Sequence, residues 1–315
     1  MSVICFGELL IDFVASETGV TVGEASGFVK APGGAPANVA VGVARLGHPS
    51  AFLGQVGDDP FGHFLEGVLR ADKVDTRGLR FSPEARTALA FVSLQADGER
   101  SFVFYRHPSA DMLMRPEDVA LDVIDDKRIF HFGSITLIGE PSRSATLTAV
   151  NYARSKGLLI SYDPNLRLAL WQNADDARAG MRLGLEYADI LKVSEEELEF
   201  LTGGKNPGAL WREGMKIIVV THGAGGATIY TPRERFLSPG FSVQAVDTTG
   251  AGDGFVAGLL HGILSYGDAF GHHLDEIARF ANAVGAITTT QRGAIPALPT
   301  RAQVEAFLAA YSPTN

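Results

Sequence analysis

The sequence predicts an α/β fold: a doubly wound, mostly parallel sheet with helices on both faces and a small second β-sheet beside it. Three observations carry this expectation. Apolar runs of strand length recur and alternate with stretches of helical length, the pattern of a sheet buried on both faces. Two β-rich inserts, about 13–31 and 86–107, interrupt the alternation. No internal repeat, low-complexity segment or long linker divides the chain. Residues 1–315 therefore read as one domain, a size that α/β folds reach with a single core.

The elements follow in order. Residues 3–7 form an apolar first strand, broken by Glu8 and Asp12. Residues 13–30 alternate weakly between glycines and read as short strands off the main sheet. Gly33-Gly34 leads into a helix from about Pro36, with proline in the first turn and Gly47 placed to end it. Strands are expected at 50–54, 128–133, 158–163, 189–193 and 216–221, with helices at 61–71 and 142–155 and an acidic helix start at 195–197. Residues 87–94 and 101–105 read as a hairpin around the Asp97-Gly98 turn signal. A further strand is expected over 241–246, before the apolar helix that starts near Phe255, and another helix near 281–286.

Composition narrows the function. With 27 Lys+Arg against 36 Asp+Glu, the net charge of −9 argues against nucleic acid or an anionic membrane as the main partner. An anionic substrate would have to be held by backbone amides and a few local cations. A single cysteine, Cys5, excludes an internal disulfide framework and a multi-cysteine metal site, and reads as a buried, inert thiol. The His272-His273 pair lacks helical metal spacing and reads as solvated. No targeting pattern is visible, and no apolar run approaches the ~20 residues of a membrane span, so the cytoplasm is the expected location.

The most informative stretch is Asp247-Thr248-Thr249-Gly250-Ala251-Gly252-Asp253-Gly254, between the expected strand and the apolar helix. Glycines at a helix N-terminus let a phosphate approach free N–H groups, and the helix dipole favours negative charge there. Asp253 stands beside that anion site, where a carboxylate can take a proton from an attacking hydroxyl. An N-cap aspartate after a glycine turn is the plainer account of any single such turn. No Gly-x-x-x-x-Gly-Lys-[Ser/Thr] motif is present, and Gly7 is not followed by the Gly-x-Gly-x-x-Gly fingerprint of a dinucleotide oxidoreductase.

That stretch resembles the C-terminal motif of the ribokinase-like (PfkB) carbohydrate kinases. Gly33-Gly34-Ala35-Pro36-Ala37-Asn38 is similar to the family's N-terminal motif, and the two lie in the family's order over nearly the whole chain. Residues 105–113, 131–135 and 285–299 are similar to fructokinases in particular, although His107 stands where their motif has Asn. The resemblance implies Asp253 as catalytic base, with Gly250, Ala251 and Gly252 stabilising the transferred charge. It implies Asp12, Gly33, Gly34 and Asn38 as ligands of sugar hydroxyls, the β-rich inserts as a lid and dimer interface, and Arg106 reaching in from that lid. Water exclusion gives such a lid a purpose, because water would compete with the sugar as acceptor.

The same resemblance places Arg167, after Asp163-Pro164-Asn165, near the transferred phosphate; by itself Asp-Pro-Asn is a good turn and Arg167 a surface residue. It places Lys192, Ser194, Glu197, Thr221, Gly223, Gly225, Gly226 and Asn282 around the nucleotide, with Glu197 acting on Mg²⁺ through water. Ser194 departs from the family's Asn, and Ser194 to Glu197 is also a good helix cap. Asp247, Thr249, Thr288 and Gly293 are implied around a monovalent cation, K⁺ being the candidate.

The implied activity is ATP- and Mg²⁺-dependent phosphorylation of fructose to fructose 6-phosphate. A 2-keto-3-deoxygluconate kinase, which also uses a lid arginine, another PfkB-type sugar or nucleoside kinase, and a non-catalytic fructokinase-like binding protein are the alternatives. A homodimer through the lid is the implied assembly.

Overall fold

A computed structural model describes residues 2–94 and 100–311. The Asp97-Gly98 turn lies outside the described residues. In chain order the elements are β1 (Val3–Phe6), β2 (Leu10–Thr18), β3 (Phe28–Gly33), α1 (Ala35–Arg45), β4 (Ser50–Gly57), α2 (Pro60–Ala71) and β5 (Asp75–Ser82). Next come β6 (Leu89–Leu94), β7 (Arg100–Tyr105), β8 (Ile129–Phe132), α3 (Ser142–Ser155), β9 (Leu159–Tyr162), α4 (Ala174–Leu185), β10 (Ile190–Ser194) and α5 (Glu195–Thr202). The chain continues through β11 (Ile217–Thr221), β12 (Gly226–Tyr230), β13 (Arg235–Pro239), α6 (Ala251–Tyr266), α7 (Leu274–Thr288), α8 (Ala294–Ala297) and α9 (Arg301–Ala310).

The main sheet has the order β13-β12-β11-β10-β9-β8-β1-β4-β5, parallel except for the β12–β13 hairpin at one edge. Strand alternation divides its side chains between two cores. Val3 and Cys5 of β1 face the core shared with α1, α6 and α7, whereas Ile4 and Phe6 face the one shared with α3 and α4. Both faces are therefore apolar, and β1 reads as a continuous apolar run. From β1 the chain builds first toward β4 and β5, then toward β8 and beyond. This makes a topological switch point beside β1, where open α/β sheets leave a crevice at the strand C-termini. The second sheet has the order β3-β2-β6-β7, with β2 and β6 parallel and both outer pairs antiparallel. It unites the two β-rich inserts.

One expected element is absent. Residues 241–246 form no strand, because their partners lie elsewhere. The Val246 and Asp247 N–H groups both donate to the Thr289 carbonyl, at 2.8 and 3.1 Å. Phe241 packs against Phe307 and Tyr311. The sheet edge is already occupied by β12 and β13, antiparallel strands that follow β11 through the turn at Gly223 to Gly226.

Helices α1 and α6 pack closely enough that a Cβ on Gly42 would stand 2.5 Å from the Ala257 Cβ. Gly42→Val should force the pair apart, a typical overpacking loss of about 1–3 kcal/mol. A urea titration reads this as a lower midpoint with unchanged slope. An unaltered midpoint would show that the helices can separate freely.

Candidate active site

Helix α6 begins at Gly250, whose φ of +77° belongs to the left-handed region. A side chain there would be strained, and its Cβ would meet the Cβ of Ala294 at 2.6 Å. The Ala251 N–H turns back to the Thr248 carbonyl at 3.3 Å. The first-turn amides of Gly252 and Asp253 remain as those helix geometry leaves without an intrahelical partner. In this structure the Ala251 donor is directed into the turn.

Asp253 lies in the first turn of α6 and is buried. Asn38, in the first turn of α1, donates from Nδ2 to Asp253 Oδ2 at 2.7 Å. The close α1–α6 packing joins residues 215 positions apart in the sequence. Burial pushes the Asp253 carboxyl up to about 6, with Asp163 adding to the rise and Asn38, Arg167 and Lys192 opposing it. Such a group is ionised at neutral pH yet remains a useful proton acceptor. Asn38 Oδ1 is buried with no hydrogen-bond partner, and Asn38 lines a cavity.

That cavity, about 170 Å³, is lined by Glu8, Asp12, Gly34, Asn38, Arg167, Lys192, Gly252 and Asp253, with Phe102 and Phe104 of β7 forming one wall. Asp12 belongs to β2 and comes so near Gly33 that a Cβ there would collide with its carboxylate at 2.2 Å. A second cavity of about 530 Å³ lies on the other side of the α6 N-terminus. Thr221, Gly223, Gly226, Phe241, Phe255, Asn282 and Gly285 line it, and Thr248 and Gly252 border both spaces. Its size falls in the usual range for small-molecule sites.

Several expected ligands have other occupations. The Asn282 amide donates to the Ser238 carbonyl and hydroxyl, each at 3.0 Å, fastening β13 to α7 while its residue lines the larger cavity. Gly225 lies in the turn, with its carbonyl accepting from the Gly240 N–H at 3.1 Å, and does not line that cavity. Ser194 and Glu197 line neither cavity. They form a capping box at α5, and Glu197 also accepts from the Leu166 N–H at 2.7 Å. The capping pattern legible in the sequence is realised, and Glu197 ties α5 to the loop after β9. Lys192 faces the smaller cavity, buried and paired with Asp163 at 3.0 Å. In that loop Asn165 takes a left-handed conformation and its N–H donates to Asp163 Oδ1, which turns Arg167 toward the cavity.

The cation loop is brought together in part. The Thr249 N–H and hydroxyl donate to Asp247 Oδ1, and the Gly293 N–H donates to Asp247 Oδ2. The Thr288 side chain is instead buried in α7, its hydroxyl bonded to the Val284 carbonyl at 2.8 Å. Arg106 is also placed differently from expectation. It is only 4% exposed, does not line the smaller cavity, and donates from Nη2 to the buried Asp111.

Sequence reasoning missed three buried acids around this site: Glu8, Asp111 and Asp163. The available signal was a charged residue in, or directly after, an apolar run, most plainly at Glu8 between β1 and β2. Among the described residues no group of three or more His, Cys, Asp or Glu side chains could hold a metal ion. Nor is any helix among them long and apolar enough to cross a membrane.

Two cavities that meet at one helix N-terminus allow a phosphoryl donor and an acceptor to approach from opposite sides, with a buried carboxylate at the junction. Fold and site together define a small-molecule kinase that works without a P-loop. The chain belongs to the pfkB family of carbohydrate kinases, whose profile matches residues 1–301. Enzymes of this family are phosphotransferases acting on a hydroxyl group. The chain is 50% identical to fructokinase-2 of Solanum lycopersicum over 313 residues, covering 97% of this chain and 95% of that protein. Among solved structures, a fructokinase of Xylella fastidiosa with bound ATP is 37% identical, with a TM-score of 0.90 over 98% of both chains. A double mutant of Vibrio cholerae fructokinase with fructose, ADP and potassium ion bound is 38% identical, with a TM-score of 0.87 over 98% of both chains.

Proposed function

We propose that this chain is an ATP-dependent fructokinase that phosphorylates the primary hydroxyl of fructose to give fructose 6-phosphate. The observation that carries the reading is the Asn38–Asp253 pair at the α6 N-terminus, between the two cavities. Fructose occupies the smaller cavity, with Asp12, Asn38 and the Gly33-Gly34 backbone around its hydroxyls. ATP occupies the larger one, its phosphates directed at α6. Asp253 accepts the proton as the sugar oxygen attacks, while Asn38 fixes the carboxylate's direction. The Gly252 and Asp253 amides face the charge that develops on the transferred group, aided by Lys192 and Arg167.

The donor set suits a metal that arrives with the nucleotide rather than one caged by protein, since the described residues bring no three acidic or histidine side chains together. Mg²⁺ bound to ATP supplies charge neutralisation. The Asp247 loop, with Thr249 and Gly293, suits K⁺ held largely by backbone carbonyls, in keeping with the potassium of the Vibrio cholerae relative. The small sheet serves as lid and homodimer interface, a role supported by exposed Val29, Val103 and Tyr105 on its outer strands. We place the enzyme in the cytoplasm.

The test is ADP release from Mg-ATP with fructose, ribose, glucose and 2-keto-3-deoxygluconate. Fructose-selective turnover is expected; preference for another sugar would overturn the substrate. The pH profile supplies a separate prediction. Asp253 must be ionised to accept a proton, and burial raises its carboxyl to about 6. The kcat/KM should therefore be level at neutral pH and fall about tenfold per unit below pH 6. An acidic limb that appears only near pH 4 would contradict the buried-base assignment.

A further inference from the structure

The resemblance implies Arg106 as the lid cation directed at the sugar, and its position bears on which sugars enter. Its guanidinium is buried, and Nη2 is bonded to Asp111. Asp111 is itself held by the Ser109 hydroxyl. Glu8 lies within electrostatic reach of both Arg106 and Asp111. It lines the smaller cavity where Arg106 does not. Glu8 is only 2% exposed, and its Oε1 accepts the Ala35 N–H at 3.0 Å, at the N-terminus of α1. Burial pushes the Glu8 carboxyl up to about 7, so at neutral pH it carries only part of a negative charge, and the full charge beside Arg106 is that of Asp111.

The remaining charges lining this cavity follow the same pattern. Asp12 and Asp253 are acidic. Lys192 is already paired with Asp163, and Arg167 stands on the Asp253 side, where the transferred group is expected. A neutral polyol meets acceptors suited to its hydroxyls. A sugar carboxylate would have to give up its hydration beside Asp12 and the partly ionised Glu8 without gaining the lid cation, which is costly for a buried charge.

We propose that Asp111 and, to a lesser extent, Glu8 are specificity-determining residues: by pairing with Arg106 and keeping its guanidinium out of the cavity, Asp111 makes the enzyme select a neutral ketose against a sugar acid, and Glu8 on the cavity wall adds to the exclusion. The inference deepens the sugar-kinase reading and rests on it. It does not depend on fructose being the preferred sugar, because its readout is the ratio of acid to neutral substrate for whichever ketose the wild type uses best. Exclusion acts through repulsion and missing compensation, which is how related sites commonly separate similar ligands.

The experiment compares kcat/KM for that ketose and for 2-keto-3-deoxygluconate in the wild type, Glu8→Gln and Asp111→Asn. Gln can still accept the Ala35 N–H, so Glu8→Gln removes the charge and keeps the helix contact. The acid-to-neutral ratio should rise at least tenfold in Asp111→Asn, which frees the guanidinium, and by a smaller factor in Glu8→Gln. A purely structural role would lower both activities and leave the ratio unchanged, and an unchanged ratio in both variants overturns the proposal. A second measurement needs only the wild type. The acid should compete with the ketose at least tenfold more weakly than the ketose binds, and equally tight competition would also overturn it.

Discussion

Asp253→Asn is expected to lower kcat by roughly 10²–10⁴-fold, the usual worth of a positioned general base. The KM values for sugar and ATP should change little. The variant should also fold, for reasons visible at the site. The Asn38 amide donates to one carboxylate oxygen, and an asparagine at 253 can present its own carbonyl oxygen to the same donor. The exchange also removes a buried ionisable group whose charge burial disfavours. The protein should therefore be at least as stable at pH 7, and a thermal melt alongside the kinetics separates lost chemistry from lost structure. Turnover near the wild-type value would remove Asp253 from the mechanism. A melting temperature reduced by many degrees would mean that the Asn38 contact depends on the negative charge.

Lys192→Met should have the largest effect on stability. Lys192 is buried against Asp163 at 3.0 Å and lies within electrostatic range of Glu197 and Asp253. Methionine restores much of the volume but leaves buried carboxylates without their cation. Stranding a buried ion in this way typically costs about 3–5 kcal/mol. Burial already raises the Glu197 carboxyl, and Lys192 opposes that rise. Without the lysine the folded state should bind protons more readily than the unfolded chain, so the variant gains stability relative to wild type as pH falls. Denaturant midpoints at pH 7 and pH 5.5 should show a large deficit that narrows in acid. Equal midpoints at pH 7 would contradict the role of Lys192 as charge partner.

The sequence determined the elements whose stability is local or set by burial. Apolar strands such as 3–6 and 217–221 follow from runs that a doubly covered sheet requires. The helix over 142–155 follows from composition and the start of α5 from capping, with Ser194 and Glu197 forming the cap in the structure. Likewise the Gly250-Ala251-Gly252-Asp253 string contains its own backbone instructions, since Gly250 adopts a conformation that disfavours any side chain.

Tertiary structure decided where side chains with several local options came to rest. Residues 241–246 have strand-like composition, yet the α7 terminus and α9 supply their partners once β12 and β13 occupy the sheet edge. Arg106 reads as a lid residue that reaches for substrate, but Asp111 draws it into the floor. Glu197 suits a metal or a cap equally in sequence; the Leu166 and Ser194 amides settle its contacts. Asp253 had the plainer alternative of an N-cap, and its pairing with Asn38 follows only from the approach of α1 to α6. Backbone conformation and burial are encoded within a few residues of where they act. The partner of a charged or amide side chain is set by long-range packing, because burying such a group requires compensation from whatever the fold brings within a few ångströms.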